Sequence, residues 1–194
     1  MCTAAASAAG ASRLVARSLA DATVDAEACG QKAVGVAHFF DYLDAFRAGR
    51  IDPVAMPVLT RIKPAIFHSD AKGGIAQLGF DRAFNRFAAA ATKHGLALFT
   101  QTNAWTCGAL GYHAERLARQ GLVALAATNA SAMIAGGGAI RPIYGTNPMA
   151  FAAPVAGRSP LLVDQSSSAT AFVNVRAARE RGSAIPDGWA IDRD

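Results

Sequence analysis

Four separated pieces of this sequence carry side chains that could do chemistry or hold a reactant. They are His38, the run Thr106-Cys107-Gly108-Ala109-Leu110-Gly111, the Gly145-Thr146-Asn147-Pro148 turn, and Asp164-Gln165-Ser166. His38 opens the apolar-periodic stretch HFFDYLDAFRA, where a helix start supplies free N–H groups and a positive dipole end; an isolated histidine in that place serves structure as readily as proton transfer. Glycines opening a helix at TCGALG either let backbone N–H groups hold a phosphate or carboxylate or allow close packing. In RPIYGTNPMAFAAP, Gly145 permits backbone geometries closed to other residues, Thr146 and Asn147 bring a hydroxyl and an amide, and Pro148 fixes the exit. That loop reads as a ligand floor beside a buried strand or as a plain turn. Asp164 stands where the apolar run LLVD meets a polar loop.

Several chemistries are excluded by what the sequence lacks. No GxGxxG follows a strand and no GxxxxGK[ST] or GxSxG occurs, which removes the Rossmann fingerprint, the P-loop and the nucleophile elbow. The four histidines show no HxxxH or HExxH spacing, and Cys2, Cys29 and Cys107 are too scattered for a zinc site or a disulfide framework, so no metal is expected. Cys107 has no histidine in its own segment to activate it. A net charge of +5 without a dense Lys/Arg cluster argues against nucleic acid and suits small anionic substrates. The most apolar region, Leu122 to Ile140, is broken by polar residues and glycines, so no membrane helix is expected. Cysteine usage points to a reducing cytoplasm. The first twenty residues, rich in Ala and Ser with Arg13 and Arg17 and no acid, resemble a transit peptide, but the helical pattern continuing through Asp21, Asp25 and Glu27 favours an amphipathic helix.

The elements that must position these residues follow from periodicity and breakers. Helices are expected over 11–28 and 38–48. Residues 50–75, carrying Pro53, Pro57 and Pro64, read as irregular, with a turn at Asp70–Gly74 and a boundary nearby. A helix capped by Asp81 and stopped by Gly95 leads to a strand over 96–100 and a polar loop over 101–107. A helix over 109–120, stopped by Gly121, leads to a strand over 122–127. The segments KHGLALFTQTNA and RQGLVALAATNA repeat Gly95/Gly121, Thr102/Thr128 and Asn103/Asn129 at one spacing, which suggests two similar helix-to-strand units. Strands over 149–153 and 161–164 and a helix over 169–181 complete the pattern.

The ordered segments VGVAHFFDYLDAFRAGRI, NAWTCGALGYHAERLARQGLVALAATNASAMIA, GGGAIRPIYGTNPMAFAAP, LLVDQSSS and IPDGWAID resemble the malate/L-lactate dehydrogenase-like oxidoreductases. That group also contains piperideine-2-carboxylate/pyrroline-2-carboxylate reductases and ureidoglycolate dehydrogenase. The resemblance runs from about residue 11 to 194. It implies an α+β fold: a helical N-terminal part over 1–57, and over 58–194 a non-Rossmann domain that binds NADPH or NADH on a largely antiparallel sheet flanked by helices. It further implies a homodimer that reduces a 2-oxo or cyclic 2-imino carboxylic acid. His38 takes the place of the family's proton donor, Thr146 that of a substrate contact, and Cys107, Gly108, Ala109, Leu110, Asp164, Gln165 and Ser166 those of cofactor contacts.

Departures from the family pattern are specific. Ala37 replaces a serine beside the histidine, and Asn174 stands where an acid is expected. Tyr42 occupies the place of an arginine that binds the substrate carboxylate, a role Arg47 could take over one further turn along. A histidine before the Gly-Ala-Leu run is replaced around Thr106 and Cys107. The resemblance also implies a longer chain that continues past GWAID. The alternative is a truncated, non-catalytic remnant that binds nucleotide or a partner chain.

Overall fold

The computed structural model describes residues 1–191, so Asp192 of the IPDGWAID motif lies outside the described residues. Instead of one opening helix there are two, α1 (Cys2–Ala8) and α2 (Arg13–Ala28). Gly10 (φ +99°) makes the break, and the Ser12 hydroxyl caps α2 by accepting from the Val15 N–H at 3.4 Å. Helix α3 (Val36–Arg47) is found where it is expected, beginning two residues earlier and ending one residue earlier than the expected span. Its first N–H, from Val36, is taken at 2.9 Å by the Glu27 carboxylate, and a Cβ on Gly35 would come within 2.5 Å of that same oxygen. Val15, Leu19, Phe39, Tyr42, Leu43, Phe46 and Ile51 from this region share one buried cluster with Ile75 and Leu78.

The stretch expected to be irregular holds a hairpin, β1 (Val58–Lys63) and β2 (Ile66–Asp70). Its prolines, Pro53, Pro57 and Pro64, sit outside both strands, where the missing N–H costs no ladder bond. Asp70–Gly74 is a turn as expected, with the Lys72 N–H donating to Asp70. Helix α4 (Ala76–His94) starts five residues before Asp81, so Asp81 lies inside the helix and caps nothing; it accepts from the Ser18 hydroxyl and from Arg116. Gly95, in the left-handed region at φ +80°, ends α4.

The two repeated helix-to-strand units part company in space. The first ends in β3 (Leu98–Thr102), which pairs parallel with β2; the second, after α5 (Leu110–Ala118), ends in β4 (Ala124–Ala127), which pairs antiparallel with β7 (Met149–Ala153). The expected single sheet is therefore two three-stranded sheets, β1-β2-β3 and β4-β7-β8 with β8 at Leu161–Gln165, plus the short pair β5 (Ile134–Ala135) and β6 (Pro142–Tyr144). Four of the five strand pairings among the described residues are antiparallel. Helix α5 packs on the β4-β7-β8 sheet. There Ala124, Ala150 and Ala152 form a second core with Leu110, Leu117, Phe67, Phe80 and Phe87. Helix α6 (Phe172–Glu180) is shorter than expected at both ends. Among the described residues no helix is long and apolar enough to cross a membrane.

Candidate active site

His38 lies in the first turn of α3, about one-fifth exposed. Its Nδ1 is 2.9 Å from Oδ2 of Asp41, three residues on and therefore on the same helix face. Asp41 also receives the guanidinium of Arg176 from α6, with Nη1 at 3.3 Å from one oxygen and Nη2 at 3.2 Å from the other. Partial burial pushes the Asp41 carboxyl up, but the hydrogen bonds from Arg176 and then His38 outweigh it and hold the acid below the usual carboxylate range. Neither Asp41 nor Arg176 was singled out by the sequence, because their meeting joins segments 135 residues apart.

On the other side of His38, its ring meets that of Tyr42 edge-on at 5.0 Å between centroids. Tyr42 is 2% exposed; its hydroxyl donates to the Thr106 carbonyl at 2.6 Å and accepts from Gln77 Nε2 at 3.0 Å. Burial first of all drives its pKa upward, so it stays a neutral phenol. The Tyr42 hydroxyl and the Gln77 amide both lie under Gly108, which adopts φ +68°. Thus Tyr42 ties α3 to the loop that opens α5. Arg47 is placed differently: nine residues from His38, roughly 13 Å along the helix, exposed and paired with Asp44 at 3.1 Å.

The two expected cofactor segments come together at the start of α5. Asp164, at the end of β8, accepts from the Gly111 N–H at 2.7 Å and lies 3.4 Å from Gln31 Nε2. A Cβ on Gly111 would stand 2.9 Å from the Asp164 oxygen, so the glycine is required by this approach. The Asp164 carboxylate thereby takes the helix-start N–H that an anion would use, and both readings of TCGALG are modified: the glycine serves packing, around a resident acid. Beside the segment, Gln77 Oε1 is buried without a partner among the described residues.

Cys107 is half-buried. Burial pushes its thiol up to about 11, which disfavours the thiolate. His113, on α5 behind it, is buried against Phe80 at 4.8 Å, and burial lowers its pKa to about 4.

The GTNP turn closes against the β8 loop: the Ser167 N–H and hydroxyl each donate to the Thr146 carbonyl at 2.9 Å. Gly145 is required for a reason different from the expected backbone freedom. Its φ is not positive; a Cβ would lie 2.1 Å from the Ala130 carbonyl oxygen. Asn147 takes the positive φ (+32°) instead, and its side-chain oxygen accepts from the Ala130 N–H at 3.0 Å. Asn174 donates to the Thr170 hydroxyl at 2.9 Å. Gln165 is exposed, and Ser166 bonds Ser168 at 2.9 Å.

Two features lie apart from this region. A cavity of about 420 Å³ sits at the other end of α5, bordered by Arg119, Gly121, Pro154 and Arg158. Asp25, Cys29 and Glu115 each place one ligand-type atom within 4.8 Å of the others, with Glu115 already paired to Arg119 at 2.7 Å.

The profile of the malate/L-lactate dehydrogenase family matches residues 1–194. A (2R)-3-sulfolactate dehydrogenase (NADP(+)) of Chromohalobacter salexigens is 37% identical over 173 residues, covering 89% of this chain and 52% of its own length. A delta(1)-pyrroline-2-carboxylate/delta(1)-piperideine-2-carboxylate reductase of Pseudomonas putida is 34% identical over 185 residues, covering 95% and 54%. The crystal structure of delta1-piperideine-2-carboxylate reductase from Pseudomonas syringae pv. tomato superposes with a TM-score of 0.90 at 32% identity, over 95% of this chain and 56% of that one. The chain spans about half the length of the curated relatives it matches. With a profile match over its whole length, the chain belongs to the malate/L-lactate dehydrogenase family.

Proposed function

We propose that this chain is an NAD(P)H-dependent oxidoreductase that reduces a 2-oxo or cyclic 2-imino carboxylic acid. The observation that carries this reading is His38, set in the first turn of α3 against Tyr42 and through it against the Cys107–Leu110 segment. The relatives' names add NADP(+), a 2-hydroxy acid and cyclic imino acids to the same reading. When bound, the reduced nicotinamide supplies a hydride for the substrate's C2 carbon. His38 supplies the matching proton from Nε2 to the carbonyl oxygen or imine nitrogen, ending as a neutral ring whose remaining proton is on Nδ1. Thr146 is assigned to the substrate, and Cys107–Leu110 with Asp164–Ser166 to the nucleotide. Tyr42 is assigned to orienting the 106–108 loop, since its hydroxyl is engaged at both ends.

The division into a helical part over 1–57 and a non-Rossmann nucleotide part from 58 onward belongs to the same proposal. Two of the three apolar clusters support it by centring on one part each, although Ile75 and Leu78 of the second part contribute to the first cluster and the third joins Ala22 and Ala26 to Ala109 and Tyr112. A homodimer in the cytoplasm completes it. The replacements at Ala37 and Asn174 favour one rival, a chain that binds nucleotide or a partner chain without turnover.

The test is oxidation of NADPH or NADH, followed by absorbance, with a panel of 2-oxo acids, pyrroline-2-carboxylate and piperideine-2-carboxylate. Turnover with at least one substrate is expected, and His38→Ala should lower kcat by about a hundredfold or more. Cofactor binding with no turnover on the panel supports the rival reading.

A further inference from the structure

We propose that Asp41, held in place by Arg176, is the positioning carboxylate for His38 and stands in for the serine and acid replaced by Ala37 and Asn174. The inference rests on His38 being the proton donor. Asp41 lies one helical turn after His38 and points a carboxylate oxygen at Nδ1 from 2.9 Å. A carboxylate facing Nδ1 keeps the ring's resident proton there and reserves Nε2 for the proton that is exchanged. It also stabilises the imidazolium that exists before transfer, as the buried acid does in a serine-hydrolase triad.

Asp41 alone would make a loose orienter, because its side chain is about one-third exposed and free to rotate into water. Arg176 removes that freedom. Its two terminal nitrogens each bond a different oxygen of Asp41, a two-point grip that fixes the carboxylate plane. The grip also makes α6 part of the site: Arg176 is carried by the helix that follows the Asp164–Ser168 loop, so the donor's alignment depends on that loop and helix being docked. Other groups beside the pair are the Tyr42 ring on α3 and Glu180, 3.9 Å from the far side of Arg176. Asn174, by contrast, is engaged with Thr170.

The test is nitrogen-15 spectroscopy of the imidazole in the whole 194-residue chain, at a pH where the ring is neutral. His38 should carry its proton on Nδ1. Asp41→Ala should shift the ring to the Nε2–H form, Asp41→Glu should restore the Nδ1–H form at least in part, and Arg176→Gln should raise the pH at which the Asp41 carboxyl titrates. An Nε2–H ring in the unaltered chain, or a tautomer unchanged in Asp41→Ala, overturns the assignment. Where turnover is measurable, Asp41→Ala should lower kcat by about tenfold or more with KM changed by less than about twofold, and Asp41→Glu should recover part of the loss. Absence of turnover on every 2-oxo and imino acid sinks the functional reading alone, since the tautomer still decides what Asp41 does.

Discussion

The family resemblance expects a substrate-binding arginine where Tyr42 stands, and the burial of Tyr42 limits what that position can do. An arginine there would be a desolvated charge between α3 and the 106–108 loop, where the neighbouring carboxylate, Asp41, is already held by Arg176 and His38. Tyr42→Arg should therefore cost more than about 3 kcal/mol of stability and not improve substrate binding. Tyr42→Phe removes one hydroxyl and leaves the Thr106 carbonyl and the Gln77 amide short of a partner, costing about 1–3 kcal/mol. Thermal unfolding of both variants checks this; a Tyr42→Arg chain as stable as the original would show that the position opens to solvent. At this scale the sequence announced His38 by its place at a helix start, and the structure puts it in the first turn of α3. It could not announce Asp41 and Arg176, because an i, i+3 neighbour becomes an orienter only when a distant helix brings the guanidinium. Arg47 was the cation nearest Tyr42 in sequence, but helical rise carries it to the far end of α3.

Helix α5 connects most of the expected cofactor contacts, and its start is neutralised by the Asp164 carboxylate on the Gly111 N–H. Its interior holds His113, buried with a pKa lowered to about 4 from 6.5. The unfolded chain takes up this proton as the pH falls through 6.5, while the folded chain does so only near 4. Stability tied to His113 is thus intact above 6.5 and is lost as the pH falls toward 4, by roughly 3 kcal/mol at about 1.4 kcal/mol per unit. Unfolding midpoints measured from pH 7 to 4.5 should fall less in His113→Phe than in the unaltered chain; equal slopes would contradict a neutral buried ring. Element by element, stops were easier to read than starts. Gly95 and Gly121 end α4 and the turn after α5 with positive φ, as their type demands. The start of α4 was hidden because Asp81 looks like a cap, whereas the helix begins at Ala76 without any side-chain cap. The β1-β2 hairpin was masked by three flanking prolines that never enter its ladder.

Across the whole molecule, the repeated motif suggested two similar helix-to-strand units, and their strands enter two different three-stranded sheets. Local pattern fixes each unit; the partner of each strand is decided by distant segments, β2 for one and β7 for the other. The β4-β7-β8 sheet buries its alanine face under α5 and leaves Leu125, Met149, Leu161 and Val163 more than 40% exposed on the other. The chain spans about half of its curated relatives, so whether the nucleotide site forms in these 194 residues is the claim on which the functional reading depends. Thermal unfolding of the purified chain with and without NADPH or NADH tests it most directly. Ligand at about a hundredfold over its Kd should stabilise by roughly 2.7 kcal/mol, moving the midpoint by roughly 5–10 °C for a chain of this size. A cooperative transition that neither cofactor moves would contradict a nucleotide site formed by Cys107–Leu110 and Asp164–Ser166.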